Sequence, residues 1–281
     1  MRVFALLSLV ALAACSKAPQ QQSAAKLAEI SFDGAAVTNA AARVAHGDRL
    51  TYVLGCRGCH TATLTGKNIL ESRGESEMGV LYASNLTQVI PHYTDAQIDQ
   101  IFRRGVHPTR KALWAMPSEV FQNLSGADEA ALIAYLRSLP PTGRPTPPPH
   151  PSALALKGIA AGRFKTAAQM VAAYSEKQPV DLGPKYALGR YITTVTCEEC
   201  HGPDLTGIEG VEQGLNSPDL IVLGGYTRAD FERLIDTGVP VGGRKLRLMD
   251  KVAMNRLGRL TPHERDALYA YLKARADRLS R

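Results

Sequence analysis

At 281 residues the chain is long enough for two domains with sizeable cores, and its hydrophobic content of 45% excludes an intrinsically disordered protein. Its formal charge of +7 comes from 33 basic and 26 acidic residues. Because the basic residues form no long run, the composition argues against a nucleic-acid partner.

The first residues predict an exported protein. Arg2 is followed by the apolar run "VFALLSLVALAA", which is too short to span a bilayer, so residues 1–14 are predicted to be a signal peptide. The sequence from Leu12 to Cys15 resembles the bacterial lipobox, in which cleavage exposes a cysteine that becomes lipidated. An ordinary signal peptide with a chance cysteine is the alternative. We therefore expect a lipid on Cys15, a tether over residues 15–40, and a location on the periplasmic side of a bacterial membrane.

Two nearly identical stretches lie further along the chain. "GCRGCHTATLTG" occupies 55–66 and "TCEECHGPDLTG" occupies 196–207. Two more pairs of segments match in the same order, namely 92–106 with 225–239 and 124–140 with 260–276. Such ordered self-similarity indicates an internal duplication.

The stretch "PPTGRPTPPPHP" divides the two copies. Its prolines exclude a helix or a central strand, so it is predicted to be a stiff, extended connector. The expected organisation is a first domain over 41–140, a proline-rich linker and connecting segment over 141–184, and a second domain over 185–281.

The secondary structure of both copies is predicted to be helical. Each copy contains a middle helix between an N-cap threonine and a C-terminal glycine, and then a last helix that begins at a hydroxyl residue. These positions are Thr94, Gly105 and Ser125 in the first copy, and Thr227, Gly238 and Thr261 in the second. Since no segment alternates as a strand does, the expected class is all-α.

The cysteines carry the chemistry of the chain. Four of the five lie in the repeated Cys-x-x-Cys-His motifs, a pattern shared by dithiol enzymes, zinc sites and covalent c-type haem attachment. A dithiol has no use for the histidine, and a zinc site needs a second ligand pair near each motif. We therefore predict two covalently bound c-type haems, attached through Cys56, Cys59, Cys197 and Cys200.

The two haem irons then need axial ligands. The motif histidines, His60 and His201, supply the first, and the identity of the second decides between ligand chemistry and electron transfer. An offset of 133 residues relates Met116 to Met249, so these methionines are the predicted second ligands. Met254 is the alternative to Met249.

The remaining histidines are weaker candidates. His107 lies near a ligand loop and could give a bis-histidine haem, but Pro240 stands at its position in the second copy. The other four, His46, His92, His150 and His263, are expected to be surface or capping residues.

The pattern "NLT…YTDAQIDQIFRRGV…LWAMP…LSGADEAALIAYLRSLPP", preceded by Cys-x-x-Cys-His, resembles the class I cytochromes c. More narrowly, it is similar to the multi-haem cytochrome c subunits of bacterial membrane-bound alcohol, aldehyde and gluconate dehydrogenases. The resemblance covers most of 47–140 and, more loosely, 185–276, and it implies two tandem class I cytochrome c domains with His/Met haems. Those subunits commonly carry three haems, whereas this chain has two motifs. In addition, Asp250 replaces the proline that follows the ligand methionine of the first copy.

The resemblance also implies the surroundings of each haem. A backbone carbonyl of "ASNL" (83–86) or "SPDL" (217–220) would accept the Nδ1–H of the haem histidine, with Leu86 and Leu220 against the haem edge. Aromatic side chains would pack around the two sites: Trp114 over the porphyrin of the first half, and Tyr135 and Tyr271, one in each half, between the last helix and the motif helix.

The two residues between the cysteines differ between the copies. They are Arg57 and Gly58 in the first motif, and Glu198 and Glu199 in the second. In this fold they lie near the exposed haem edge, which suggests that the two haem edges face different partners. Ordinary solvated surface positions are the alternative.

The expected function is therefore that of a non-catalytic electron carrier. Its predicted partners are a dehydrogenase as donor, a terminal oxidase or small cytochrome as acceptor, and a membrane reached through the lipid anchor. The alternative is a dihaem cytochrome c peroxidase-like enzyme, which needs one iron with an open or displaceable ligand position.

Overall fold

The computed structural model describes residues 30–211 and 215–280, and this part of the chain is mostly helical. Its paired strands are β1 (Gly79–Val80) and β2 (His150–Pro151), which form one short antiparallel ladder. The all-α prediction is therefore confirmed at the level of fold class. The predicted signal peptide and Cys15 lie outside the described residues. Among the described helices, none combines the length and apolar character needed to cross a membrane.

The first half, residues 41–140, is built from helices of unequal length. Their bounds are α1 Ala40–Val53, α2 Cys56–His60, α3 Ile69–Arg73, α4 Leu86–Val89, α5 Asp95–Arg104, α6 Ser118–Phe121 and α7 Gly126–Ser138. The predicted start and end of α5 are confirmed, because Thr94 forms a capping box with Gln97 and Gly105 ends the helix at a φ of 62°. Ser125 caps α7 by accepting from the Asp128 amide.

The second half, residues 185–281, repeats this plan with longer helices. Its described α-helices are α10 Ala187–His201, α11 Arg228–Thr237, α12 Leu248–Asn255 and α13 Pro262–Leu279. Short 3-10 helices lie at Pro184–Tyr186, Leu220–Gly225 and Leu257–Arg259. Thr227 and Thr261 are the predicted N-caps, and both form capping boxes, Thr227 with Asp230 and Thr261 with Glu264. Gly238 ends α11 at a φ of 72°.

The connecting segment contains two further helices, α8 (Ala153–Ala160) and α9 (Ala167–Tyr174). Residues 140–149 form neither helix nor strand, as predicted for the linker, but this segment does not stand away from the first half. The Asn85 side chain donates to the carbonyl oxygens of Thr142 (2.7 Å) and Arg144 (3.1 Å), and α9 packs against α6.

One helix crossing recurs in both halves. α1 crosses α7 at Gly47, where an added Cβ would collide with the Ala131 carbonyl and the Tyr135 side chain. α10 crosses α13 at Gly189, which meets Ala267 and Tyr271 in the same way. Tyr135 and Tyr271 therefore do pack the last helix onto the helix that leads into each motif.

The approach to the motif differs between the halves. α10 continues through Cys197 to His201, whereas α1 ends at Val53 and the motif forms the separate helix α2. Cys56 lies nine positions after Gly47, but Cys197 lies only eight positions after Gly189. The additional residue is accommodated at Gly55, which adopts a left-handed φ of 76°.

The halves meet at a buried polar seam. The Asp128 carboxylate, at the start of α7, accepts from the Phe32 amide (3.0 Å) and the Tyr191 hydroxyl (2.7 Å) and pairs with His46 Nε2 (2.8 Å). The prediction that His46 is a surface or capping residue is wrong, because its side chain is enclosed by this contact between the halves.

A matching acid lies at the start of α13. Glu264 accepts from the Asp33 amide (2.8 Å) and pairs with Arg49 (2.8 Å), which also donates to the Asp33 carbonyl (2.7 Å). The segment from Phe32 to Asp33 is thus held between the first turns of two last helices. Buried apolar side chains of both halves join a single hydrophobic cluster.

Candidate functional site

Each half contains one apolar cleft, and each Cys-x-x-Cys-His motif lines one of them. The first cleft brings together Cys56, Cys59, His60 and Met116. It encloses about 1230 Å³ of empty space, its open mouth included. The predicted attachment and ligand residues of the first half are therefore neighbours on one cavity.

The second cleft has the same chemistry. Cys197, Cys200, His201 and Met249 all line it, and it encloses about 1350 Å³ with its mouth. None of the four motif cysteines forms a disulfide. In the described residues, His, Cys, Asp and Glu side chains form no group of three or more that could hold a metal ion.

Each motif histidine has one ring nitrogen engaged with the backbone. His60 Nδ1 lies 2.7 Å from the Ser84 carbonyl oxygen, and His201 Nδ1 lies 2.9 Å from the Pro218 carbonyl oxygen. A carbonyl only accepts, so Nδ1 carries the proton and Nε2 keeps the lone pair that binds a metal. Burial lowers the pKa of both imidazoles below the usual value, although the carbonyl contacts oppose that shift, so the neutral form is favoured. Both carbonyls belong to the predicted segments 83–86 and 217–220.

The Leu-Thr-Gly sequence after each motif explains this arrangement in the first half. Leu64 is buried at a left-handed φ of 60°, and its carbonyl accepts from the Leu86 amide (2.8 Å). Gly66 donates to the His60 carbonyl (2.9 Å) at a φ of 78°, and an added Cβ would collide with the Ala83 carbonyl. A glycine is therefore required where the loop that carries the histidine acceptor approaches.

The second half has the same loop geometry. Leu205 adopts a φ of 65° and accepts from the Leu220 amide (2.9 Å). Gly207 donates to the His201 carbonyl (2.9 Å), and a Cβ there would collide with the Ser217 carbonyl. The repeated Leu-Thr-Gly sequence therefore has the same backbone geometry in both halves, and this geometry orients the motif histidine.

The thiols are not poised for dithiol redox chemistry. Burial raises the pKa of Cys56 to about 11, and it also raises the pKa of Cys59 and of Cys197. Reactive dithiols have lowered thiol pKa values and a partly exposed, electropositive setting. This environment therefore weighs against the thioredoxin-type alternative.

The two methionines reach their clefts from different local structures. Met116 precedes Pro117 in a loop, directly after Ala115 at a φ of 57°. Met249 lies in the first turn of α12, in which Asp250 is the next residue. Met254 is absent from the cleft lining and is 41% exposed, so the geometry favours Met249 over Met254.

His107 lines the first cleft, but both of its ring nitrogens are engaged. Nδ1 accepts from the amides of Thr109 (3.2 Å) and Arg110 (3.1 Å), so Nε2 carries the proton and contacts the Tyr93 hydroxyl at 3.2 Å. This tautomer leaves no lone pair for a metal. The bis-histidine alternative is therefore disfavoured by the hydrogen bonds.

The rest of the lining suits a flat, largely apolar ligand with acidic substituents. Leu86 and Trp114 line the first cleft and Leu220 lines the second, as the resemblance implied. Cationic side chains complete the walls: Arg110 in the first cleft, and Arg244, Lys245, Arg247 and Arg256 in the second. Two thiols, a neutral imidazole, a thioether and nearby cations form a donor set that fits a covalent haem with its carboxylates.

The expectation that both residues between the cysteines lie near an exposed edge is wrong for Glu198 of the second motif, whereas the Glu199 side chain is 35% exposed. That the two haem edges face different partners stays a prediction. Glu198 is 0% exposed, and Glu199 lines the cleft of the first half. Arg57, in the first motif, contacts Thr51 (2.8 Å) and the Tyr135 hydroxyl (2.7 Å). The burial of Glu198 is a consequence of tertiary structure, because the second motif faces the seam between the halves.

The positions of Glu199 and Arg256 could not be anticipated from the motifs. Each belongs to the second half but lies at a boundary with the first, and no feature of its sequence surroundings indicates this. A comparison with protein-family models finds no match for the chain, and a comparison with curated proteins finds none either. The functional assignment must therefore come from the geometry of the two clefts.

Proposed function

We propose that this protein is an exported electron carrier in which two tandem class I cytochrome c domains each hold one covalent haem. The observation that carries the proposal is the repetition of a complete ligand set. Two thiols, a histidine with its Nδ1 on a backbone carbonyl, and a methionine line one apolar cleft, and the same set lines a second.

The residues have distinct roles in this proposal. Cys56 and Cys59 hold the first haem by thioether bonds and Cys197 and Cys200 hold the second, while His60 with Met116 and His201 with Met249 ligate the irons. When bound, each haem supplies a one-electron iron couple whose potential is raised by methionine ligation. The chain supplies orientation and exclusion of water, through the Ser84 and Pro218 carbonyls and the apolar cleft walls.

An electron carrier is favoured over the peroxidase-like alternative. A peroxidase needs an open or displaceable iron position, whereas a methionine lines both clefts here. His107, the other histidine that lines the first cleft, accepts from the Thr109 and Arg110 amides and contacts the Tyr93 hydroxyl. We accordingly propose a dehydrogenase as electron donor and a terminal oxidase or small cytochrome as acceptor, with lipid on Cys15 holding the protein to the periplasmic side of a membrane.

Spectroscopy of the protein expressed with a c-type haem maturation system tests this function. We expect two haems per chain by pyridine haemochrome analysis, and a near-infrared methionine-to-iron band in the oxidised protein. Met116→Ala and Met249→Ala should each remove about half of that band, because each eliminates one of two equal ligands. Met254→Ala is the matched control and should leave the band unchanged.

Three results would contradict the proposal. A chain that carries no haem would exclude the function altogether. Retention of the full band in Met249→Ala together with its loss in Met254→Ala would reassign the second ligand. A high-spin haem in the wild-type protein that reacts rapidly with peroxide would favour the enzyme.

A further inference from the structure

Arg256 connects the two halves at their cysteine motifs. It follows α12, the helix that carries Met249, and its side chain is only 15% exposed. Its Nε donates to the Val53 carbonyl oxygen (3.2 Å) at the end of α1. An added Cβ on Gly55 would lie 2.6 Å from Arg256 Cζ, so the guanidinium lies directly against the residue that precedes Cys56.

Glu199 extends this connection into the first cleft. It stands between the two cysteines of the second motif, yet its side chain lines the cleft of the first half. Arg256 lines the cleft of the second half, and the two side chains form an ion pair of 3.4 Å. The cysteine-bearing walls of the two clefts therefore meet at one partly buried ion pair.

The burial of this pair determines how far its charges act. A charge at a solvated surface is screened by water and salt, but one in a low-dielectric seam acts over a longer distance. A ferric haem carries one more positive charge than a ferrous haem, so a nearby cation favours the reduced state and a nearby carboxylate favours the oxidised state. A charge between two such sites acts on both.

We propose that Arg256 is a positioning residue shared by the two haem sites, whose single guanidinium charge raises the potentials of both irons. The inference rests on the proposed function, since it requires a haem in each cleft. The carboxylate of Glu199, which adjoins Arg256, lowers both potentials. The two haem potentials are thus coupled through one pair of side chains, because a change of charge at either side chain shifts both.

Spectroelectrochemical titration of the full-length, haem-loaded protein tests this coupling. The two midpoint potentials are first assigned with Met116→His, which lowers the potential of the first haem. Arg256→Gln should then lower both midpoint potentials, whereas Glu199→Gln should raise both. Arg256→Lys keeps the charge and should leave both potentials close to those of the wild type.

Two arginines that each line a single cleft serve as matched controls. Arg110→Gln should shift only the first haem, and Arg244→Gln only the second, because each lines one cleft and, unlike Arg256, has no side-chain hydrogen bond to the other half among the described residues. Haem content and the unfolding transition of every variant show whether it is folded and loaded.

The possible results separate the two proposals. If Arg256→Gln binds two haems but shifts only one potential or neither, the shared charge is excluded while the carrier function stands. If Arg256→Lys shifts the potentials as far as Arg256→Gln, the effect arises from packing and the charge mechanism is excluded. If the wild-type chain binds fewer than two haems, the function itself fails, and the coupling with it.

Discussion

At the scale of single residues, the two copies use one backbone conformation with different side chains. The residue after each motif histidine is Thr61 in the first half, at φ 71° and ψ 169°, and Gly202 in the second, at φ 80° and ψ 161°. This region of the backbone map is essentially restricted to glycine. Thr61 is therefore strained where Gly202 is not.

Exchanging these two residues should have opposite effects on stability. Gly202→Thr should decrease the free energy of unfolding by about 1–3 kcal/mol, the usual cost of such a conformation. Thr61→Gly should increase it by about 1 kcal/mol, because the relief of strain exceeds the added entropy of a glycine in the unfolded chain. Urea unfolding of the haem-loaded variants measures both. Equal destabilisation by both changes would contradict the strain at Thr61.

The sequence allowed the residues of the clefts to be predicted wherever they lie within one copy of the repeat. The cysteines, the histidines and the methionines follow from a local motif and the internal duplication, and their carbonyl acceptors follow from the resemblance to the class I cytochromes c. His46, Glu198 and Arg256 could not be placed in this way. Their burial depends on the other half of the molecule, and no periodicity within a helix reports such a contact.

At the scale of elements, one crossing depends on a glycine in each half. It is the crossing between the last helix and the helix that leads into the cysteine motif. A Cβ on Gly47 would collide with the Ala131 carbonyl, and a Cβ on Gly189 with the Ala267 carbonyl. Backbone atoms cannot move aside as a flexible side chain can, so the helices would have to separate. The cysteine motif lies at the end of each displaced helix.

Gly47→Ala and Gly189→Ala should therefore destabilise the protein by about 1–3 kcal/mol or more, as overpacking of a close contact does. The matched control is Gly58→Ala, because a Cβ at this helical position meets no atom within 4 Å. That variant should be neutral or slightly more stable. Chemical unfolding of the three variants measures the effect, and a neutral Gly47→Ala would show that the crossing can relax.

The helix limits were predictable because caps are local. Thr94, Thr227 and Thr261 bond to amides within three residues of themselves, and Gly105 and Gly238 need no tertiary partner to adopt their conformation. The break at Gly55 was not predicted. It results from one additional residue between the helix crossing and the first motif. The effect of this residue is evident only when the spacing from the crossing glycine to the first cysteine is compared between the two halves.

At the scale of the whole molecule, the halves are joined by acids at the starts of their last helices. Asp128 is fully buried and contacts Phe32, His46 and Tyr191. Asp128→Asn removes the charge and points amide hydrogens at existing donors. We expect a loss of about 1.5–3 kcal/mol, because buried donors lose a charged hydrogen-bond acceptor.

Calorimetry of the haem-loaded protein measures this effect. Asp95→Asn is the control, because Asp95 begins α5 and pairs with Arg137 at the surface, where such pairs contribute about 1 kcal/mol or less. If the two variants lose the same stability, the buried seam does not contribute more than a surface ion pair.

The pH dependence of stability has an identifiable source in Glu119. This side chain is buried in α6, which packs against α9 and α10, and its Oε2 has no hydrogen-bond partner among the described residues. Burial raises the pKa of Glu119 from 4.5 to about 7. The folded state therefore keeps this proton between those values while the unfolded state loses it, so stability present below about pH 4.5 is lost as the pH rises through 7.

Glu119→Gln should remove this dependence. At about 1.4 kcal/mol per pKa unit, the variant should gain up to about 3 kcal/mol at pH 8 relative to its difference from wild type at pH 4.5. Urea unfolding as a function of pH measures the change, with the exposed Glu77→Gln as control. Parallel stability profiles for wild type and Glu119→Gln would contradict the raised pKa.

The seam also determines where the chain enters its folded body. The amides of Phe32 and Asp33 are held by Asp128 of one half and Glu264 of the other, so the residues before them emerge at the boundary between the halves. A force applied to the chain ahead of Phe32 would therefore act on both halves at once, because each half supplies one of the two carboxylates that hold these amides.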